Sequence, residues 1–188
     1  MIIFQIVLGD TLGGWHQDGR GTNLKPIENN LRGQLMTKIE NIPAELKVLP
    51  QWVCWKWENR DGEPTKPLYN SKTGKKASHN DPSTWGLFED AVNTSKKGFD
   101  GIGFVFSPDD PFCGIDLDEC RDPVSGKIER WAEKLIREFD SYTEISPSGT
   151  GLKIFLKGQL SGGGIKTKHV EVYDRTRYFT VTGEVWRP

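Results

Sequence analysis

The sequence predicts an α+β fold built on a mixed or antiparallel sheet. Short β-prone segments recur at residues 52–57, 66–69, 101–106, 114–118, 152–156, 169–173 and 177–182. A helical apolar stripe appears only in two stretches, near residues 85–95 and 128–139. The 21 Gly and 11 Pro punctuate the chain too often for a helical bundle. Strands interleaved with two helices, mostly joined by hairpins, give this class.

Residues 52–57 (Trp-Val-Cys-Trp-Lys-Trp) are aromatic and β-prone, with Trp55 and Trp57 placed on opposite faces and the tryptophans assigned to the core. Asn59-Arg60-Asp61-Gly62 closes that strand as a turn. Residues 66–69 read as an edge strand, because Pro67 has no N–H to give to a ladder. A polar loop follows, and Asn80 to Trp85 cap the first helix. Residues 101–106 read as a buried strand paired in a hairpin with 114–118 through the Pro/Asp turn at 107–111. The second helix has apolar positions at Ile128, Trp131, Leu135, Ile136 and Phe139. Beyond it lie a Ser/Gly loop at 146–151, the strand 152–156, a Gly-rich loop at 161–164 and two final strands.

The 188 residues are enough for about one domain with a sizeable core, and no internal repeat or linker divides them. Net charge is −1, so nucleic-acid binding has to come from a local patch. Cys54, Cys113 and Cys120 are scattered and odd in number, which suits a reducing cytoplasm better than a disulfide framework. The apolar start, residues 1–8, is too short to span a membrane and lacks the basic flank of a secretory signal. Residues 9–35 are rich in Gly, Asn and Gln without periodicity. The expectation is therefore a disordered arm or over-called start over 1–35, with Met36 the natural start and a single domain over 36–188.

The acidic strand Gly114-Ile115-Asp116-Leu117-Asp118 carries the chemistry. Residues two apart on a strand share a face, about 7 Å apart along it. Asp116 and Asp118 therefore project together while Ile115 and Leu117 turn inward. The same alternation sends Leu152, Ile154, Leu156, Val170 and Val172 to that core, and leaves Lys153, Glu171 and Tyr173 beside the aspartates. Three carboxylates on one face repel one another unless a cation lies between them, and Mg²⁺ prefers such oxygen ligands. Ser148, Gly149, Thr150 and Gly151 precede Lys153 in a loop small enough to approach a phosphate. It is not a P-loop, since no Gly-Lys-Ser/Thr follows. An EF-hand is excluded, because its sixth and twelfth positions counted from Asp116 hold Arg121 and Lys127.

Together these residues resemble the archaeo-eukaryotic primase superfamily, in its phage and plasmid primase-polymerase branch. Asp116 and Asp118 match the family's paired acids. Pro147 to Lys153 match its Ser-containing turn, with Lys153 where histidine is usual, and Val170-Glu171 match its third motif. The similarity extends over about residues 45–188, including Lys66-Pro67, residues 80–85 and residues 177–183. It implies an RRM-like catalytic sheet with flanking helices and a small N-terminal α/β module. It also implies two Mg²⁺ or Mn²⁺ ions held by Asp116, Asp118 and Glu171, with Ser148, Gly149, Thr150, Lys153 and Arg177 around a nucleoside triphosphate.

The implied substrates are a single-stranded DNA template and nucleotides, tracked in part by Lys66, Lys72, Lys75 and Lys76. A replicative helicase is expected as a partner acting in trans or lost from this chain, in the cytoplasm of a bacterial or archaeal host. The leading reading is a template-dependent nucleotidyltransferase. A non-catalytic single-strand-binding or initiator module on the same fold, and a metal-dependent nuclease, stay open beside it.

Overall fold

The computed structural model describes residues 37–187, so the expectation for 1–35 lies outside the described residues. One sheet has four strands, ordered Arg177–Val181, Gly101–Phe106, Trp52–Trp55 and Leu68–Asn70. Its strands are β1 (Trp52–Trp55), β4 (Leu68–Asn70), β5 (Gly101–Phe106) and β11 (Arg177–Val181). A second sheet has five strands, ordered Thr143–Ile145, Leu152–Lys157, Phe112–Leu117, Val170–Tyr173 and Ile165–Lys166. It is built from β6 (Phe112–Leu117), β7 (Thr143–Ile145), β8 (Leu152–Lys157), β9 (Ile165–Lys166) and β10 (Val170–Tyr173). A small hairpin joins β2 (Glu58–Arg60) to β3 (Glu63–Thr65). All strand pairs are antiparallel. The helices are α1 (Ala44–Lys47), α2 (Phe88–Ser95) and α3 (Arg130–Phe139). The α+β class is therefore correct.

Two apolar layers explain the stacking. Ile115, Leu117, Leu152, Ile154 and Val172 pack on Ala132 and Ile136 of α3, on the face the alternation predicts. The reverse face of the same sheet is only half open. Its Phe112 and Phe155 join Trp52, Phe104, Phe106 and Phe179 of the four-stranded sheet in a second core. Edge-to-face contacts tie these rings, with Phe106 and Phe179 centroids 4.9 Å apart and Phe155 and Phe179 5.3 Å apart. Gly114 is required where the sheets meet, because a Cβ there would overlap the Phe179 and Phe106 rings.

One pairing differs from expectation. β5 and β6 do not form a hairpin: β5 lies between β1 and β11, while β6 lies between β8 and β10. The Asp110 carboxylate accepts hydrogen bonds from Ser107 N at 2.9 Å, Phe112 N at 2.6 Å and Gln51 Nε2 at 2.6 Å. This buried staple satisfies the backbone donors of the turn and turns the chain from one sheet into the other. The N-terminal module is likewise not contiguous in sequence, since β11 completes its sheet. The tryptophan assignment holds for Trp52, Trp55 and Trp85, which are buried, but fails for Trp57, which is 42% exposed. β1 stops at Trp55, and the Trp57 ring packs edge-on against Trp55 rather than across the sheet from it.

Gly114→Ala should destabilise the protein by about 1–3 kcal/mol through overpacking between the two sheets. Urea unfolding checks this, and an unchanged midpoint would contradict the close approach.

Candidate active site

Five charged residues form one row across the whole five-stranded sheet. Glu144 on β7 pairs in register with Lys153 on β8, and Lys153 with Asp116 on β6. Asp116 pairs with Glu171 on β10, and Glu171 with Lys166 on β9. Directly opposed residues of antiparallel strands share a face, so all five project to the same side. The sheet thus brings Asp116, Lys153 and Glu171 together as the alternation requires.

Asp116 and Glu171 are the like-charged neighbours in this row, and each is held by a lysine. Lys153 Nζ donates to Asp116 Oδ2 at 2.5 Å, with only 9% of the lysine side chain exposed. Its ammonium also lies 4.4 Å from the centroid of the Phe179 ring. Lys166 Nζ is 2.5 Å from Glu171 Oε1. Asp118 follows the last residue of β6, and its N–H donates to His169 O at 2.9 Å. Partial burial, together with the charges of Asp116 and Glu171, pushes the Asp118 carboxyl above its ordinary value although Lys153 and Lys66 oppose the shift.

The Ser148–Thr150 loop lies close to Asp118, just past the end of β6. Gly151 lets it approach, because a Cβ there would be 2.7 Å from Leu117 O and 3.7 Å from Asp118 Cα. The Ser146, Ser148 and Thr150 hydroxyls form a chain at 3.0 and 2.8 Å. Gly149 takes φ +75°, and its carbonyl accepts from Arg121 Nη1 at 2.8 Å. Arg121 thus holds the loop in place.

A cavity of about 420 Å³ opens beside the row. Asp116 and Lys153 form one wall, Tyr178 and Thr180 of β11 another, and Trp57, Pro64 and Lys66 the third. Lys66 therefore separates from the other three lysines assigned to a template. Lys72 and Lys75 are exposed on their loop, and Lys76 donates to Glu58 at 2.9 Å and to Tyr69 Oη at 2.7 Å. Arg177 does not line the cavity; its guanidinium lies 5.6 Å from the Tyr173 ring centroid. Asp174, just past β10, is buried with Arg175 at 2.8 Å and takes no part in the row. The His169 ring is 6.0 Å from Trp131 of α3, and its Nδ1 is 3.6 Å from Glu119 Oε2.

Among the described residues, no three Asp, Glu, His or Cys side chains already converge as a metal cluster. The donor set nevertheless fits a hard divalent cation. It offers carboxylate oxygens on one open face, two of them on opposed strands whose mutual repulsion is relieved by ammonium groups.

Glu144, Lys166, Arg121, Thr180 and Trp57 escaped the sequence reading. β7 is three residues long and β9 two, too short for an alternation to show. Glu144 is fully buried and accepts from Tyr142 Oη at 2.8 Å and from Thr182 N and Gly183 N at 3.0 Å. Burial raises its carboxyl from 4.5 to about 7, against the pull of those donors and of Lys153. The folded protein then holds an extra proton across that interval, and stability through this group falls as pH rises from 4.5 to about 7. Glu144→Gln should remove that part of the slope, read as melting temperature against pH beside the wild type. Parallel curves would show that Glu144 titrates normally.

No protein-family model matches the chain. The chain is 45% identical over 157 residues to a DNA primase-polymerase of Nitratiruptor phage NrS-1, a match covering 79% of the chain and 21% of the relative. It therefore spans about a fifth of that relative's length. No helix among the described residues is long and apolar enough to cross a membrane. At that identity over most of its length, the chain belongs to the primase-polymerase family as a domain of the archaeo-eukaryotic primase type.

Proposed function

We propose that this domain catalyses template-directed nucleotidyl transfer at the row centred on Asp116 and Glu171, adding nucleotides on a single-stranded DNA template. The observation that carries the reading is the cross-strand register Lys153–Asp116–Glu171. It sets two carboxylates and a basic group on one open face beside a cavity. Homology to a protein named as a DNA primase-polymerase supports the reaction class.

Asp116, Asp118 and Glu171 are the residues that hold Mg²⁺ or Mn²⁺ in this reading. Held by these residues, two such ions would supply Lewis acidity to the attacking 3′-hydroxyl and to the charge developing at the α-phosphate. The protein's own groups bind and orient the nucleotide. Lys153 exchanges its contact with Asp116 for a phosphate oxygen, steadied from beneath by the Phe179 ring. Its ammonium is a full, mobile charge where the usual histidine gives one directed hydrogen bond. The Ser148 and Thr150 hydroxyls, held by Arg121 through Gly149 O, complete the phosphate contacts near Asp118. The rigid sheet keeps these groups aligned before substrate arrives.

A second reading, a non-catalytic single-strand-binding module, draws on one observation: Lys153 and Lys166 already neutralise the two opposed carboxylates. One assay separates the two. The protein is incubated with a primed single-stranded template, nucleotides and Mn²⁺ or Mg²⁺, beside an Asp116→Ala/Asp118→Ala variant. Losing several kcal/mol of transition-state charge stabilisation should slow incorporation on the order of a thousandfold, with melting temperature preserved. Equal products from both proteins, or none from either, would remove the catalytic reading.

A further inference from the structure

We propose that Lys66 and Thr180 form, with Lys153, a binding site for the phosphates of a nucleoside triphosphate in the cavity beneath the β2–β3 hairpin. The identity of the ligand rests on the nucleotidyl-transfer reading; the site itself rests on separate observations.

Thr180 supplies the first. It is 4% exposed and lines the cavity, and its Oγ1 has no hydrogen-bond partner among the described residues. Buried hydroxyls are nearly always paired, so an unpartnered one on a residue that lines a cavity marks a place where a ligand atom can complete it. Alternation on β11 explains its direction. Phe179 and Val181 enter the aromatic core, and Tyr178 and Thr180 turn the other way.

Lys66 supplies the second. Its carbonyl accepts a hydrogen bond from the Tyr178 hydroxyl, which pins the loop after β3 against β11. Its ammonium lies 4.6 Å from the centroid of the Trp57 ring and makes no ion pair among the described residues. Burial and the neighbouring Lys153 lower its pKa from 10.5 to about 8, against the pull of Asp116 and Asp118. Asp116, the carboxylate in the wall, is already engaged by Lys153. Once Lys153 exchanges Asp116 for a phosphate, two ammonium groups and an unpartnered hydroxyl make a polyphosphate site.

A template strand fits this place less well. Template phosphates run along an open surface, as at exposed Lys72 and Lys75, whereas Lys66 is half-buried in a cavity of about 420 Å³. That volume suits a compact phosphate tail. Lys66 is thereby moved from the template to the incoming nucleotide.

Calorimetric titration of the full chain with inorganic tripolyphosphate, and with a non-hydrolysable deoxynucleoside triphosphate, tests the site without synthesis. Lys66→Met and Thr180→Val should each weaken both ligands about tenfold, the loss of one hydrogen bond to a charged group. Thr180→Ser, which keeps the hydroxyl, should bind as the wild type does, and so should Lys97→Met in the turn after α2. Should Thr180→Val fail to fold, Lys66→Met decides, since the contact holding its loop is made by the backbone. Wild-type affinity in Lys66→Met, no tripolyphosphate binding by the wild type, or a Lys66→Met defect confined to single-stranded DNA would each overturn the proposal. Triphosphate binding that depends on Lys66, in a protein that never incorporates nucleotides, would remove the transfer reading and keep the site. Incorporation with an unchanged nucleotide KM in Lys66→Met would do the reverse.

Discussion

Asp116 and Glu171 face each other directly across two antiparallel strands. Partners of this kind have Cα atoms about 4.5–5.5 Å apart, and like charges so placed are destabilising unless compensated. That single conflict organises the sheet around it. On one side Lys153 answers Asp116; on the other Lys166 answers Glu171. Glu144, at the far end of the row, is buried without a lysine of its own and is satisfied by two backbone N–H groups and a tyrosine instead. The protein keeps an unfavourable arrangement that two apolar residues at these positions would have avoided. Such arrangements are maintained where chemistry needs them.

The rest of the architecture protects this row without covering it. Phe155, Phe106 and Phe179 close one end of the same sheet face by packing the second sheet on it, and Gly114 lets them come near. Two residues further along β6, Asp116 lies beyond the aromatic contact and borders the cavity. The charged groups are therefore partly withdrawn from water, and interactions there are stronger than on an open surface. Glu144 couples the row to the segment after β11 through Thr182 and Gly183. The site thus depends on both sheets keeping their relative placement.

The sequence makes the central strands legible because they alternate cleanly. Ile115, Leu117, Leu152, Ile154 and Val172 all enter the core packed on α3, and their neighbours in sequence carry the charge. What escaped it depended on tertiary pairing. The apolar run 101–106 and the acidic strand read as a hairpin because a five-residue turn joins them, yet the buried Asp110 carboxylate makes that turn a crossing between sheets. Lys166 and Glu144 lie on strands too short to show a period. Lys66 looked like one lysine among four until the fold drew it apart from Lys72, Lys75 and Lys76. Propensity also favoured burying Trp57, but β1 ends two residues before it, leaving the ring at the cavity mouth.

The central claim is that the opposed carboxylates are kept for a divalent cation, with lysine as the substitute partner. Anomalous diffraction from crystals soaked with Mn²⁺ and a non-hydrolysable nucleotide tests it most directly. The account predicts manganese signal within coordination reach of Asp116 and Glu171, with Lys153 displaced from Asp116 onto a phosphate. Lys153 and Lys166 still seated on their carboxylates, with nucleotide bound and no manganese between them, would contradict it.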